Sequence, residues 1–122
     1  MRAGCLERRL YKVRPAPDEA IITKHRYGAF ESTDLDLVLR SKGIRTVIMT
    51  GVATNVCVET TARQAFLRDY YVVFLSDCTA TFSAAQHEAA LWNIDQFFGQ
   101  VVSSEDVIAC WQPADARLRA AS

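Results

Sequence analysis

The sequence has few histidines, no paired cysteines and no excess of positive charge. His25 and His87 are too few and too isolated to indicate a metal site. The four cysteines are widely spaced without a CxxC pair, so neither a zinc knuckle nor a redox dithiol is indicated. Fourteen basic residues balance fourteen acidic ones, whereas nucleic-acid and anionic-membrane partners usually require a basic excess. We therefore expect no metal, no cofactor, no nucleic-acid partner and no membrane partner.

The sequence also lacks an apolar run long enough to span a bilayer. Its first residues carry charges where a signal peptide needs an apolar stretch. We therefore expect a cytoplasmic protein whose cysteines stay reduced. The length of 122 residues indicates one domain, and an apolar fraction of 50% is enough for a core.

Short apolar segments alternate with amphipathic ones along the chain. Residues 1–18 are charged and contain prolines, which indicates an extended lead-in, and residues 113–122 indicate a frayed tail. The domain between them covers residues 19–112. The pattern predicts strands at 20–23, 46–49, 71–75 and 101–102, and helices between Thr33 and Gly43, at about 56–69, at 84–98 and from about Ser104. This alternation is typical of a three-layer α/β/α domain with a mostly parallel sheet.

The segment Gly51-Val52-Ala53-Thr54-Asn55-Val56-Cys57 follows the second predicted strand. Open parallel sheets place their sites beyond the carboxyl ends of the strands. Gly51 allows a sharp turn, and Cys57 then falls in the first turn of the next helix. Free N–H groups at a helix start stabilise a thiolate and can also bind an oxyanion. Position alone is equally compatible with a small buried cysteine that begins a core helix.

Lys24 follows the first predicted strand and reaches the same edge of the sheet. It is flanked by Ile21, Ile22, Tyr27 and Phe30, which is an unusual setting for a solvated charge. Close to the cysteine, its ammonium would favour the thiolate, and it could donate a proton to a leaving amine. The alternative is a surface lysine whose aliphatic stem covers apolar residues.

Three segments taken together resemble the isochorismatase-like cysteine hydrolases. They are KHRYGAF at 24–30, GVATNVCVETT at 51–61 and SD at 76–77. This family includes nicotinamidases, N-carbamoylsarcosine amidohydrolases and ureidoacrylate amidohydrolases, and the chain looks most similar to the ureidoacrylate type. The resemblance implies the family's α/β/α fold and, for that type, chemistry without a metal.

The resemblance also implies roles for individual residues. It places Cys57 as the nucleophile and Lys24 as a second member of an Asp–Lys–Cys triad. It implies a cis peptide bond between Val52 and Ala53, and an oxyanion hole formed by the backbone N–H groups of Ala53 and Cys57. The positions that match the family's substrate pocket are Tyr27, Phe30 and Asn55.

The chain departs from the family at the catalytic Asp, because nothing in residues 1–18 matches the family's motif. We therefore expect the C-terminal portion of a longer enzyme, with the N-terminal strands missing and a homo-oligomer formed through the sheet surface left exposed. The leading hypothesis is a cysteine-dependent hydrolase that cleaves C–N bonds in small amides or ureido compounds through a thioester. The alternatives are a non-catalytic remnant that serves as a binding or assembly module and, third, a thiol-based redox sensor.

Overall fold

The computed structural model describes residues 13–113 of the chain. Its elements are α1 (Leu35–Ser41), β1 (Thr46–Val52), a π-helical turn (Thr54–Val58), α2 (Glu59–Phe66), β2 (Tyr71–Ala80), α3 (Ala84–Phe97), β3 (Gln100–Val102) and α4 (Ser104–Trp111). Most of the predicted lead-in and nearly all of the predicted tail lie outside the described residues. Within residues 13–113, no helix is both long enough and apolar enough to cross a membrane.

The three strands form a parallel sheet in the order β1-β2-β3. Thr46 of β1 pairs with Tyr71 of β2, and Phe74 of β2 pairs with Val101 of β3. Each crossover from one strand to the next contains a helix and runs in the same direction, so right-handed connections place α2 and α3 on the same face of the sheet. The predicted α/β fold with a parallel sheet is confirmed.

The core lies between β2 and the helices α2 and α3. Phe74 of β2 and Ile94 of α3 are fully buried, and Ala62 and Ala65 of α2 pack with them. The two alanines have short side chains, so α2 lies close to the sheet. Leu75 is also buried. Because successive strand residues point to opposite faces, Leu75 belongs to the other side of the sheet.

The first predicted strand, at 20–23, is absent, and these residues have no regular structure. A strand needs a neighbour to satisfy its backbone N–H and C=O groups, and within the described residues this segment pairs with none. Its Ile21 is accordingly 58% exposed. The strand at 46–49 is present. Its continuous apolar run is typical of a strand buried on both faces, but Ile48 is 38% exposed. β1 forms an edge of the described sheet, which explains that exposure.

Candidate active site

Cys57 lies in the π-helical turn Thr54–Val58, here called the cysteine turn, immediately beyond the carboxyl end of β1. The carbonyl of Ala53 accepts hydrogen bonds from the N–H groups of Val56 at 3.1 Å and Val58 at 3.2 Å. The Val52–Ala53 peptide bond is cis. The predicted helix therefore starts with one wide turn before the regular α2. The Cys57 side chain is half-buried and carries a free thiol.

The segment at 24–30, here called the lysine loop, is hydrogen-bonded to the helix that follows the cysteine turn. The N–H of Ala29 donates to Oγ1 of Thr61 at 3.0 Å. The same hydroxyl donates to the carbonyl of Cys57 at 2.8 Å. One buried side chain therefore connects the backbone of the lysine loop with the backbone of the candidate nucleophile.

Gly28 allows the lysine loop to lie directly against α2. A Cβ at this position would come within 2.2 Å of Oε1 of Gln64. That amide oxygen also accepts the N–H of Phe30 at 3.3 Å. The Phe30 ring is buried and lies 5.8 Å from the ring of Tyr70. The structure thus places Phe30 in the core beneath the loop, where it anchors the segment that carries the lysine.

The Lys24 ammonium is bound by its own loop. Its Nζ donates to the carbonyl of Arg26 at 2.8 Å and to that of Tyr27 at 3.4 Å. Within residues 13–113, no hydrogen bond joins Lys24 to Cys57 directly. An ammonium has three N–H donors, so these carbonyls fix its position and leave one donor for another group. Tyr27 is 67% exposed, and residues 24–27 line a shallow cavity of about 390 Å³.

The cysteine turn is also tied to α3 and to the segment between β2 and α3. Oγ1 of Thr81 donates to Oδ1 of Asn55 at 2.6 Å. Oγ1 of Thr54, which is fully buried, lies 2.9 Å from Nδ1 of His87. Asn55, which matches a pocket position, therefore has its amide oxygen engaged within the protein, while its amide nitrogen is the group that could meet a ligand.

Asp77 lies in the second half of β2 and accepts hydrogen bonds from the first turn of helix α4. Its carboxylate accepts the hydroxyl of Ser104 at 2.5 Å and the N–H of Ser104 at 2.8 Å. These hydrogen bonds, led by that from the Ser104 hydroxyl, hold the pKa of Asp77 below its ordinary value. Helix α4 begins with a capping box between Ser103 and Asp106, so its N-cap is Ser103. Across residues 13–113, no three His, Cys, Asp or Glu side chains gather closely enough to hold a metal ion.

The sequence profile of the isochorismatase domain matches residues 5–106. The chain belongs to the isochorismatase family. Ureidoacrylate amidohydrolase RutB of Variovorax paradoxus is 41% identical to this isochorismatase-family chain over 106 residues, which cover 86% of the chain and 42% of RutB. The chain therefore spans less than half the length of the curated relatives it matches.

Solved structures agree with this membership of the isochorismatase family. An isochorismatase-like hydrolase from Alkaliphilus metalliredigens is 41% identical with a TM-score of 0.80, over 84% of this chain and 57% of that one. The nicotinamidase from Staphylococcus aureus is 34% identical with a TM-score of 0.65, over 66% of this chain and 53% of that one. The resemblance found in the sequence is confirmed at the level of the family and the fold.

Three polar residues of this isochorismatase-family chain organise the site although the sequence patterns do not point to them. They are Thr54, Thr61 and Gln64. Thr61 had a readable signal, because a threonine four residues after the cysteine on a helix can reach that residue's carbonyl. No sequence pattern indicates the roles of Thr54 and Gln64, since their partners lie 33 and 34 residues away in the chain. For the same reason His87 gave no sign of its contact with the cysteine turn.

Proposed function

We propose that this chain is a cysteine-dependent hydrolase that cleaves C–N bonds in small amides or ureido compounds. The observation that carries the proposal is the connection through Thr61, which holds the lysine loop against the backbone of Cys57. A thiol and an ammonium are thereby presented from two segments that lie side by side. The identity to RutB and to a nicotinamidase, both named for acting on amides, supports the same class of reaction.

In the proposed reaction, Sγ of Cys57 attacks the carbonyl carbon of the substrate as a thiolate. The carbonyl π electrons move to the oxygen, and the N–H groups of Ala53 and Cys57 donate hydrogen bonds to the oxyanion that forms. When the tetrahedral intermediate collapses, the C–N bond breaks. The nitrogen takes a proton from Lys24 and leaves as ammonia or an amine, and a thioester remains on Cys57.

Water then attacks the thioester carbon, releases the acid product and restores the thiol. Lys24 regains its proton from the group that deprotonates the thiol and the water. Tyr27 and Asn55 would line the pocket for the substrate, and Phe30 would support the lysine loop from below. Every step is an acyl transfer or a proton transfer, so the scheme needs neither a metal nor a cofactor.

The reactivity of the thiols tests the assignment of the nucleophile. Cys57 is half-buried, whereas Cys78 and Cys110 are exposed, so accessibility alone would make Cys57 the slowest of the three. We expect the opposite order: brief treatment with iodoacetamide near neutral pH should label Cys57 first, about tenfold faster, because thiolates rather than thiols react. Peptide mapping by mass spectrometry measures the order. Labelling of Cys78 or Cys110 ahead of Cys57 would contradict the assignment.

Ammonia release from ureido and carboxamide compounds tests the reaction itself. We expect any release to disappear in Cys57→Ser and to persist in the matched control Cys78→Ser. A chelator should leave it unchanged. Activity that a chelator removes and zinc restores would contradict the proposed chemistry, and a chain with a reactive Cys57 but no amide hydrolysis in any form would favour a binding or redox role.

A further inference from the structure

The cysteine turn contacts His87 of α3 through the buried side chain of Thr54. Thr54, the first residue of the turn, has no exposed surface, and its Oγ1 lies 2.9 Å from Nδ1 of His87. The other ring nitrogen, Nε2, lies 3.1 Å from the carbonyl oxygen of Ser76 in the middle of β2. The half-buried imidazole therefore bridges the turn and the adjacent strand.

The partners of the ring determine where its proton lies. A carbonyl oxygen can only accept a hydrogen bond, so Nε2 carries the hydrogen that is donated to Ser76. In the neutral ring, Nδ1 is then an acceptor, and the hydroxyl of Thr54 donates to it. Because Thr54 is fully buried, water is not available to replace this acceptor. A loss of Nδ1 would leave the hydroxyl without the partner that sets its orientation.

The position of Thr54 affects the groups that would stabilise negative charge in the proposed mechanism. It lies between Ala53 and Cys57, whose N–H groups are the proposed oxyanion donors. Hydrogen-bond donors stabilise a developing charge only when they already point at its position. The bond between Thr81 and Asn55 ties the neighbouring residue of the turn to the same side of the molecule. The orientation of the turn therefore depends on contacts from the segment that contains α3.

We propose that His87 is a positioning residue, which acts through Thr54 to hold the cysteine turn in the geometry that stabilises negative charge at Cys57 and at the oxyanion. This inference rests on the proposed function. The Nδ1 atom affects the reactivity of Cys57, whereas the Nε2 atom only anchors the ring. The two nitrogens can be tested separately.

Two pairs of variants separate these contacts. His87→Asn places an amide oxygen the same number of bonds from Cα as Nδ1, so it keeps an acceptor for Thr54. His87→Gln places its amide nitrogen at the distance of Nε2, so it keeps a donor for Ser76 and loses that acceptor. Thr54→Val removes the hydroxyl with little change in shape, and Thr54→Ser is the matched control that keeps it. Circular dichroism shows which variants fold, and the threonine pair decides the matter if a histidine variant does not fold.

The readout is the rate of Cys57 alkylation by iodoacetamide as a function of pH in the 122-residue chain. We expect His87→Gln and Thr54→Val to react about tenfold more slowly at pH 7, equivalent to about 1.4 kcal/mol, with the whole pH profile moved upward. His87→Asn and Thr54→Ser should stay within about threefold of the unmodified protein, about 0.7 kcal/mol. A merely structural role would lower the thermal stability without distinguishing Asn from Gln in this profile.

Three results would overturn the inference. If Cys57 is highly reactive but His87→Gln and Thr54→Val leave its profile unchanged, the inference fails and the proposed function stands. If the Asn and Gln variants slow alkylation equally, His87 has only a structural role. If Cys57 in the unmodified protein reacts no faster than Cys78, the proposed function fails and the inference fails with it.

Discussion

At the scale of single residues, the hydroxyl of Thr61 makes one long-range and one local hydrogen bond at once. It accepts from Ala29 and donates to the carbonyl of Cys57, and the residue is only 8% exposed. Replacing it with valine keeps the shape but leaves the partly buried N–H of Ala29 without its acceptor. We expect Thr61→Val to lower the free energy of unfolding by about 1–3 kcal/mol. Urea denaturation measures this change, and Thr60→Val, one residue earlier on α2, is the matched control.

The same substitution should also change hydrogen exchange locally, in the lysine loop. The amide of Ala29 should exchange its hydrogen faster in Thr61→Val, because the lysine loop loses a contact with α2. The hydrogen exchange rates of the β2 amides should change only as far as the overall stability changes. Equal stability losses in Thr61→Val and Thr60→Val would contradict the role assigned to this hydroxyl.

Lys24 gives a second prediction at the scale of residues. If its remaining N–H is directed at the site, Lys24→Met should slow the alkylation of Cys57 near neutral pH by a few-fold to about tenfold, because a nearby cation favours the thiolate. Arg26→Met is the matched control, since Arg26 is a cation of the same loop whose guanidinium donates to the carbonyl of His25. Initial rates of iodoacetamide labelling measure the effect. Equal slowing in both variants would indicate a general field of positive charge rather than a specific position.

At the scale of elements, the sequence predicted those helices and strands whose patterns are satisfied locally. The apolar runs of β1 and β2 and the amphipathic pattern of α3 identify these elements because each pattern lies within the element itself. The segment at 20–23 has the same apolar character, but a strand forms only with a neighbouring strand, which composition does not report. Trp92 and Phe97 show the same limit: their helical spacing indicates packing, yet they are 60% and 62% exposed.

The candidate site likewise has features that the sequence predicted and features that it did not. Glycine, the short loop and the position of Cys57 at a helix start are features of neighbouring residues, so the sequence located the cysteine turn. The wide turn itself depends on contacts with distant residues such as His87 and Thr81. Helical periodicity cannot distinguish a π-helical turn from a regular first turn. The sequence therefore indicated the nucleophile but not the residues that hold it.

Helix α1 is attached to the rest of the fold by a small polar cluster. Tyr70 donates its hydroxyl hydrogen to Asp36 at 2.7 Å, and Nε of Arg40 donates to the same carboxylate at 3.1 Å. The hydrogen bond from Tyr70, with help from Arg40, lowers the pKa of Asp36 below 3.8. Burial and the hydrogen bond to Asp36 raise the pKa of Tyr70. The ionised carboxylate is thus the form that the folded state prefers.

This preference predicts how stability depends on pH. Because the pKa of Asp36 is lower in the folded than in the unfolded state, its contribution is present above about pH 3.8 and is lost as the pH falls through the folded pKa. Asp36→Asn should therefore lower the melting temperature at pH 6, and the difference from the unmodified protein should shrink at acid pH. Asp34→Asn is the control, because Asp34 makes no side-chain cap hydrogen bond to α1. A difference that stays constant from pH 6 to pH 3 would contradict this account.

At the scale of the whole molecule, large apolar surfaces of the described residues remain uncovered. The larger cavity, of about 860 Å³, lies at the amino ends of the strands, on the opposite edge of the sheet from Cys57. Large apolar side chains with at least 38% exposure include Ile48, Val52, Phe66, Leu67 and Tyr71. Edge strands and many exposed large apolar side chains promote association between copies of a chain. We therefore infer that the 122-residue chain forms oligomers in solution.

At the same scale, we expect the proposed reaction to take its general base from outside the described residues. Within the described residues, three carboxylates on α1, α2 and β2 already have partners: Asp36 binds Tyr70, Glu59 binds Arg63 at 3.0 Å, and Asp77 binds Ser104. A positioned general base contributes about 10²- to 10⁴-fold to a rate. A reactive Cys57 without such a base would be alkylated readily but would turn over slowly.

We therefore expect the 122-residue chain alone to hydrolyse amides at least about 10²-fold more slowly than a fusion that supplies a base. The fusion joins to this chain the part of Variovorax paradoxus RutB that lies outside the matched region, since the match covers only 42% of RutB. Ammonia release measures turnover, and analytical ultracentrifugation measures association, which the added segment should reduce by covering the sheet. The same fusion with Cys57→Ser controls for activity that does not depend on this cysteine. A monomeric 122-residue chain that hydrolyses amides as fast as the fusion would show that the described residues, or their flanking segments in this chain, already supply the base.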